Sequence, residues 1–391
     1  MAIRGLDLNM YDISAYGRMI TDKGRMDAYS EALRCSVSPH SVVLDLGAGT
    51  GIFAILACQF GARKVFAIEP SDAITLAREA AVANGFQDRI QFIQKHSKRV
   101  ELSEPATVLV SDLRGVLPFM EDHIPTLVDA RRRLLVPGGT LIPRRDTLWA
   151  AIVESPDLYR PYIEPWDRND FGLDLLAGQK LMLNTWRKVR VTPGQLLSEP
   201  QCWATLDYLS IDSPDIHGEI YSGVKRSGTG HGLIVWFDAV LSEAVRFSNR
   251  PAAPELIYGS AFFPWLAPVD LEAGDNVIVQ MDADLVDDDY IWRWNTRIKS
   301  GPGSPQLKAD FKQSTFFGAP LTSQRLRKSS AAHVPVLNDE GKVENLILSR
   351  MDGEASLERI AQELKLRFPH RFSQWEDALK VVGQTSQKYS Q

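Results

Sequence analysis

One short stretch limits what this chain can fold into more than any other. Val42 to Leu46 (VVLDL) reads as a buried strand, Gly47-Ala48-Gly49-Thr50-Gly51 as a tight turn, and IFAILACQFGA as an apolar helix. The pattern then repeats. KVFAIEP reads as a second strand, and SDAITLAREAAVANG as a helix that Ser71 or Asp72 can cap and Gly85 can end. RIQFIQ and ATVLVSDL continue the strands, followed by a helix through IPTLVDARRRLL and a strand at GTLIP. Strands alternating with helices at this spacing predict an α/β domain with a parallel sheet.

After about Pro143 the texture changes to alternating stretches such as TLWAAIVE, GLIVWFDAVL, GSAFFPWLAPVDL and NVIVQMDADLV, which predict antiparallel β structure. Trp236, Phe262, Phe263 and Trp265 read as its core, with a place in a ligand site as the other reading. Residues 157–188 read as a helical, aromatic excursion, and GPGSP at 301–305 as a linker. Beyond it VPVL and ENLILSRM read as strands. Ser356 can cap a helix carrying Leu357, Ile360, Ala361 and Leu364 on one face, and a second helix follows from about Ser373. The expected organisation is N-terminal helices at 1–40, the α/β domain at 41–145 and a barrel-like antiparallel domain at 146–300. A linker at 301–330 and a small module at 331–391 complete it.

Composition narrows the class. The 391 residues are 44% hydrophobic and 24% charged, as in ordinary soluble multidomain proteins. Apolar runs are too short for a transmembrane span, and MAIRGLDLNMYDIS lacks the pattern of a secretory signal, so a cytoplasmic location is expected. Cys35, Cys58 and Cys202 are far apart, which argues against disulfides and against a metal site. A net charge of -5 provides no general basic field for nucleic acid.

The turn at 47–51 carries chemistry. Glycines let the backbone approach a ligand with no Cβ in the way. A dinucleotide loop would have G-x-G-x-x-G; here Gly47-Ala48-Gly49-Thr50-Gly51 runs into Ile52-Phe53, a spacing that favours a different ligand. Glu69, eighteen residues after Gly51, ends the second strand, where a carboxylate can accept both hydroxyls of a ribose. Asp45 ahead of the turn points to a ligand with an amino group. A tight turn in an unrelated α/β protein is the alternative. The D-x-G-x-G-x-G run with its acidic strand end resembles the S-adenosylmethionine site of class I methyltransferases.

The likeness narrows to the protein arginine methyltransferases. VVLDLGAGTGIFAILACQFGARKVFAIEPSD resembles their first motif, and Met19-Ile20-x-Asp22-x-x-Arg25 resembles the Met-Leu-x-Asp-x-x-Arg pattern of their cofactor-covering helix. The resemblance implies that Arg25 pairs with the cofactor's methionine carboxylate in a charge-assisted contact that can be bidentate, that Met19 packs near the sulfonium, and that the His96-Ser97 loop reaches the adenine. FGLDLLAGQKLMLNT is similar to the family's dimerisation arm, which implies a homodimer. The likeness spans roughly residues 11–300. It implies a Rossmann-like domain followed by a β-barrel-like domain.

In the family's catalytic loop two glutamates hold the acceptor guanidinium. The matching loop here is Ser111-Asp112-Leu113-Arg114-Gly115-Val116-Leu117-Pro118-Phe119-Met120-Glu121. Glu121 stands at the second glutamate. Asp112 stands at the first, shorter by one methylene or roughly 1.5 Å of reach. Both acids can also be read as ordinary surface-loop residues. Arg114 reads either as a salt-bridge partner within its own loop or as a contact for an acidic substrate. The family's Thr-His-Trp loop aligns with Glu255-Leu256-Ile257, so its histidine and tryptophan are missing.

The expected function is N-methylation of a peptide or protein side chain. Methylation of a small metabolite, or of a non-arginine group on a ribosomally made peptide, and a catalytically silent scaffold are the alternatives. From about residue 331 the chain resembles a PqqD-like or winged-helix module, which implies a leader segment bound as an added strand; a purely structural appendage is the other reading.

Overall fold

The computed structural model describes residues 13–168, 170–301 and 306–390. The expected start of the N-terminal region and most of the GPGSP signal lie outside the described residues. The chain divides into two compact units, up to Pro320 and from Leu321.

The first unit opens with helices α1 (Ile13–Thr21) and α2 (Lys23–Ser36). Asp22 separates them and starts α2, its side chain accepting the Arg25 N–H at 3.1 Å. There follow β1 (Val42–Leu46), α3 (Ile52–Gln59), β2 (Lys64–Ile68), α4 (Ala73–Ala83), β3 (Ile90–Ile93), β4 (Ala106–Ser111), α5 (His123–Arg133) and β5 (Leu135–Ile142). The five strands pair in parallel in the order β3-β2-β1-β4-β5. Every residue of β1 is buried, as a strand covered on both faces requires. The strand order reverses between β1 and β4, and a parallel sheet opens a crevice at the carboxyl ends of such a pair.

The antiparallel part comprises β6 (Arg145–Val153), helices α6 (Pro156–Asp167) and α7 (Leu176–Met182), and strands β7 (Arg187–Val189), β8 (Gln201–Asp207), β9 (Ile216–Gly223), β10 (Gly228–Val240), β11 (Arg246–Ser248), β12 (Ser260–Leu271), β13 (Asn276–Val286), β14 (Asp289–Lys299) and β15 (Leu307–Phe311). One sheet runs β7-β12-β10-β6-β8, with β11 on β10, and the other runs β15-β14-β13-β9. Along β14 the residues Tyr290, Trp292, Trp294, Thr296 and Ile298 are buried while their neighbours are not, the period of two that a one-sided sheet imposes. Indole N–H groups join the sheets: Trp203 donates to the Met281 carbonyl at 2.9 Å and Trp294 to the Pro264 carbonyl at 3.0 Å. Trp236, Phe262, Phe263 and Trp265 are all buried in the core.

Two expectations need correction. Residues 307–311, read as linker, form β15, which pairs with β14 through Arg297 and Asp310. LKADF is a half-exposed edge strand, so it lacks the apolar run that marks a buried one. In the second unit, α8 (Ser323–Lys328) lies within the stretch read as linker, and α9 (Asp339–Arg350), α10 (Leu357–Arg367) and α11 (Trp375–Tyr389) follow. ENLILSRM is mostly helix. Val343, Leu346 and Ile347 are buried along one side of α9, and Asn338 accepts the Gly341 N–H at 2.8 Å to start it. Among the described residues this unit has no strand, so it lacks the sheet of a winged-helix or PqqD-like module. Ser356 does cap α10, accepting the Arg359 N–H at 3.3 Å.

Candidate active site

A cavity of about 320 Å³ opens at the carboxyl ends of β1, β2 and β4. Gly47, Gly49, Glu69, Met19, Arg25, Asp112 and Glu121 all line it, so one place gathers most of the residues singled out in the sequence. The turn is built for close approach. Gly47 and Gly49 have φ of 74° and 51°, and a Cβ at either would lie 2.3 Å from Leu113 or 2.6 Å from the Tyr16 ring. Glu69 braces this turn, one oxygen accepting the Gly49 N–H and the other the Ser71 N–H, each at 2.9 Å.

Three expected residues do not line the cavity. Gly51 is left-handed at φ 77°, but its missing Cβ makes room for Ala77 of α4. Asp45 turns towards the start of α3, where it accepts the Ala54 N–H at 2.9 Å. Its other oxygen is buried without a partner among the described residues, and burial pushes the carboxyl up to about 7. Ser97 is buried at the head of a short 3-10 turn whose carbonyl accepts from Arg133 at 3.0 Å.

A second cavity of about 480 Å³ adjoins the first, and Met19, Arg25, Asp112, Met120 and Glu121 belong to both walls. Its remaining wall includes Phe119, Trp186, Tyr258 and Trp292. Phe119 packs edge-on against Trp292 and Tyr290 at 5.1 Å, which ties the loop after β4 to the antiparallel sheet. Glu121 sits in that loop at φ 46°, an unusual conformation for a residue with a Cβ.

Asp112 is almost fully committed within the protein. Oδ2 accepts Arg25 Nε–H at 2.6 Å and the Tyr258 hydroxyl at 2.7 Å, and Oδ1 accepts Arg114 Nε–H at 3.3 Å. Burial alone would raise its pKa; the charges of Arg25 and Arg114 and the Tyr258 hydrogen bond outweigh that and hold the carboxyl below its usual range. Arg25 also donates from Nη1 to the Met19 carbonyl at 3.2 Å and to Met26 Sδ at 3.2 Å, which leaves Nη2 without a partner among the described residues.

The Arg114 side chain is fully enclosed and pairs with Asp112 of its own loop and with Asp146, as the salt-bridge reading expects, although it also lines the second cavity. Nη1 donates to Asp146 Oδ1 at 2.7 Å and Nη2 to the Tyr29 hydroxyl, while the rings of Phe237 and Phe247 flank the guanidinium at 5.3 Å.

Sequence reasoning did not single out Asp146, Tyr208 or His123, which extend this network. Tyr208 donates its proton to Asp146 Oδ2 at 2.7 Å, so His123 Nε2, 3.2 Å from the same hydroxyl, must be the donor there. His123 lines the first cavity. Burial, then the charge of Arg114, push it down to about 3, so it stays neutral. Its place two residues after Glu121 was the one available signal. In the loop that replaces Thr-His-Trp, the Ile257 N–H donates to Asp22 Oδ2 at 2.6 Å, so a backbone group ties the loop to the N-terminal helices.

Comparison with known proteins follows the same lines. The family model described as ribosomal protein L11 methyltransferase (PrmA) matches residues 26–144. A probable protein arginine N-methyltransferase 6 of Arabidopsis thaliana is 30% identical over 252 residues, which cover 62% of this chain and 56% of the relative. Protein arginine N-methyltransferase 1 of Dictyostelium discoideum is 26% identical over 272 residues, covering 68% and 80%. The chain thus spans little more than half of the first relative and four fifths of the second. Among solved structures, protein arginine methyltransferase 10 of Arabidopsis thaliana superposes with a TM-score of 0.68 at 21% identity, covering 78% of this chain and 98% of that one. The PRMT1 enzyme–prozyme heterotetramer of Trypanosoma brucei, in complex with AdoHcy, gives 0.69 at 21%, covering 76% and 97%. The fold is that of these enzymes.

Proposed function

We propose that this chain is an S-adenosylmethionine-dependent methyltransferase of the arginine-methyltransferase type, N-methylating a side chain of a peptide or protein. The observation that carries this reading is the wall common to the two cavities, which holds Met19, Arg25, Asp112, Met120 and Glu121. A ligand in one cavity abuts a ligand in the other, with two acids at the junction.

The residues of the first cavity fit the cofactor. A carboxylate offers about four acceptor positions, so Glu69 retains one on each oxygen for the ribose hydroxyls after bracing the turn. Arg25 has Nη2 left for a single charge-assisted bond to the methionine carboxylate, the monodentate form of the contact that the resemblance implies. Gly47 and Gly49 keep the floor open. When bound, the cofactor would supply a methyl carbon on positively charged sulfur, the new N–C bond forming as the C–S bond breaks and the sulfur leaves as a neutral thioether.

The chain's own part is to position that nitrogen. Glu121, with the remaining acceptor position on Asp112 Oδ1, holds the N–H donors of the acceptor and draws its positive charge away from the attacking nitrogen. The proton released as the N–C bond forms passes to the Glu121 carboxylate. We also infer a homodimer built through the α6–α7 arm, supported by Phe171 and Leu173, 82% and 59% exposed at its tip. We also propose that the unit from Leu321, which has no strand among the described residues, recruits the acceptor polypeptide.

Calorimetry with S-adenosylhomocysteine tests the first step: binding is expected, weakened at least tenfold by Glu69→Ala, as when a charged hydrogen-bonding group is lost. No binding would favour a scaffold. Glu121→Gln is expected to abolish methyl transfer, read by mass spectrometry, with cofactor affinity within about twofold of the parent.

A further inference from the structure

The second cavity runs from a buried floor to an exposed rim. At the floor Asp112 and Tyr258 are each 5% exposed, whereas Arg18 of α1 and Lys188 of β7, both lining the same cavity, are exposed. Neither cation is ion-paired among the described residues, although the exposed Asp289 lines the same cavity. Lys188 Nζ donates to the Ile257 carbonyl, and Arg18 Nη1 donates to Ser14 Oγ at 2.9 Å; neither forms an ion pair. Arg190, just after β7, is neutralised by Glu255. Arg18 and Lys188 lie close enough to act on one another: burial, then the charges of Arg190 and Arg18, depress the Lys188 ammonium. Two like charges at one opening, neither ion-paired among the described residues and only Asp289 as an exposed acid beside them, favour an anion there.

We propose that Arg18 and Lys188 form a carboxylate subsite at the rim of the acceptor pocket, so that the methylated side chain belongs to a residue with a free α-carboxylate. Such a residue is either the last of a peptide or a free amino acid. The inference rests on the second cavity being the acceptor pocket. The acceptor side chain then runs past Trp186 and Trp292 towards Asp112 and Glu121, while its carboxylate stays with the two cations. Asp289, also exposed and lining the cavity, accepts the α-ammonium when the acceptor is a free amino acid.

Four acceptors test this: L-arginine and L-argininamide, and the tripeptide Gly-Gly-Arg with its C-terminus free or amidated. Affinity is read by calorimetry with S-adenosylhomocysteine present, and turnover with S-adenosylmethionine. Within a pair, the carboxylate form should bind at least about tenfold more tightly than the amide, the size of one charge-assisted hydrogen bond. Which pair shows the preference identifies the source of the carboxylate. Lys188→Met and Arg18→Gln should each bring the ratio towards one; Arg18 is on an exposed helix face, so its replacement leaves folding undisturbed. Equal binding of acid and amide, a preference that both variants retain, or no binding of any of the four overturns the subsite. Carboxylate preference without methyl transfer counts against the proposed reaction and leaves the subsite standing. Transfer without preference does the reverse.

Discussion

Arg114 carries a full charge with no access to solvent, its partner Asp146 is equally enclosed, and the Asp112 side chain is only 5% exposed. Removing one member of such a set leaves the others charged and unanswered, so Arg114→Met should destabilise the protein by about 3–5 kcal/mol in chemical denaturation. Adding Asp146→Asn should restore part of that loss. Asp45 gives a pH signature. Its pKa is about 7 in the folded chain against an ordinary 3.8, so the folded state holds the proton that the unfolded state releases. Its contribution is fully present below pH 3.8, declines as pH rises and is gone above about 7. The melting temperature of Asp45→Asn, measured from pH 5 to 8, should therefore fall less with rising pH than that of the parent. Composition cannot reveal either residue's situation. Arg114 is one loop arginine among many until Asp146, 32 positions later, closes on it.

At the scale of elements, the strand–turn–helix beginning at Val42 was legible because both faces of β1 are covered and its glycines have a steric task. Glu69 and Arg25 were legible because they stand at fixed positions next to that unit. Ser97 and Asp45 were not, since their placement depends on neighbours distant in sequence: Arg133 holds the Ser97 carbonyl, and the Ala54 N–H draws the Asp45 carboxylate towards α3. The strand expectation for ENLILSRM failed because four apolar-rich residues fit either period, whereas including Val343 would have exposed the helical spacing of 343, 346 and 347. The arm carries its own test. Phe171 lies at the tip of the α6–α7 excursion, and Phe171→Asp should shift sedimentation from dimer to monomer if the arm forms the inferred interface.

For the whole molecule, the second unit has its own buried cluster, including Val343, Ile347, Ile360, Leu364, Phe372 and Val382, and the first unit's cores are built without it. Ending the chain at Pro320 should therefore yield a folded protein that still binds S-adenosylhomocysteine. If the unit recruits the acceptor polypeptide, the truncation should raise KM for a long peptide several-fold while sparing a minimal acceptor. An equal loss for both would mark it as structural support.

Helix α1 buries only Ala15 of its nine residues, yet Tyr16, Met19 and Ile20 line one cavity and Ala15, Arg18 and Met19 the other. A helix this short cannot hold itself in water, so it settles according to what lies beneath it. Whatever fills the nucleoside cavity thereby finishes the wall of its neighbour. The two ligands should arrive in a compulsory sequence, nucleoside first, with the acceptor meeting a complete receptor only afterwards.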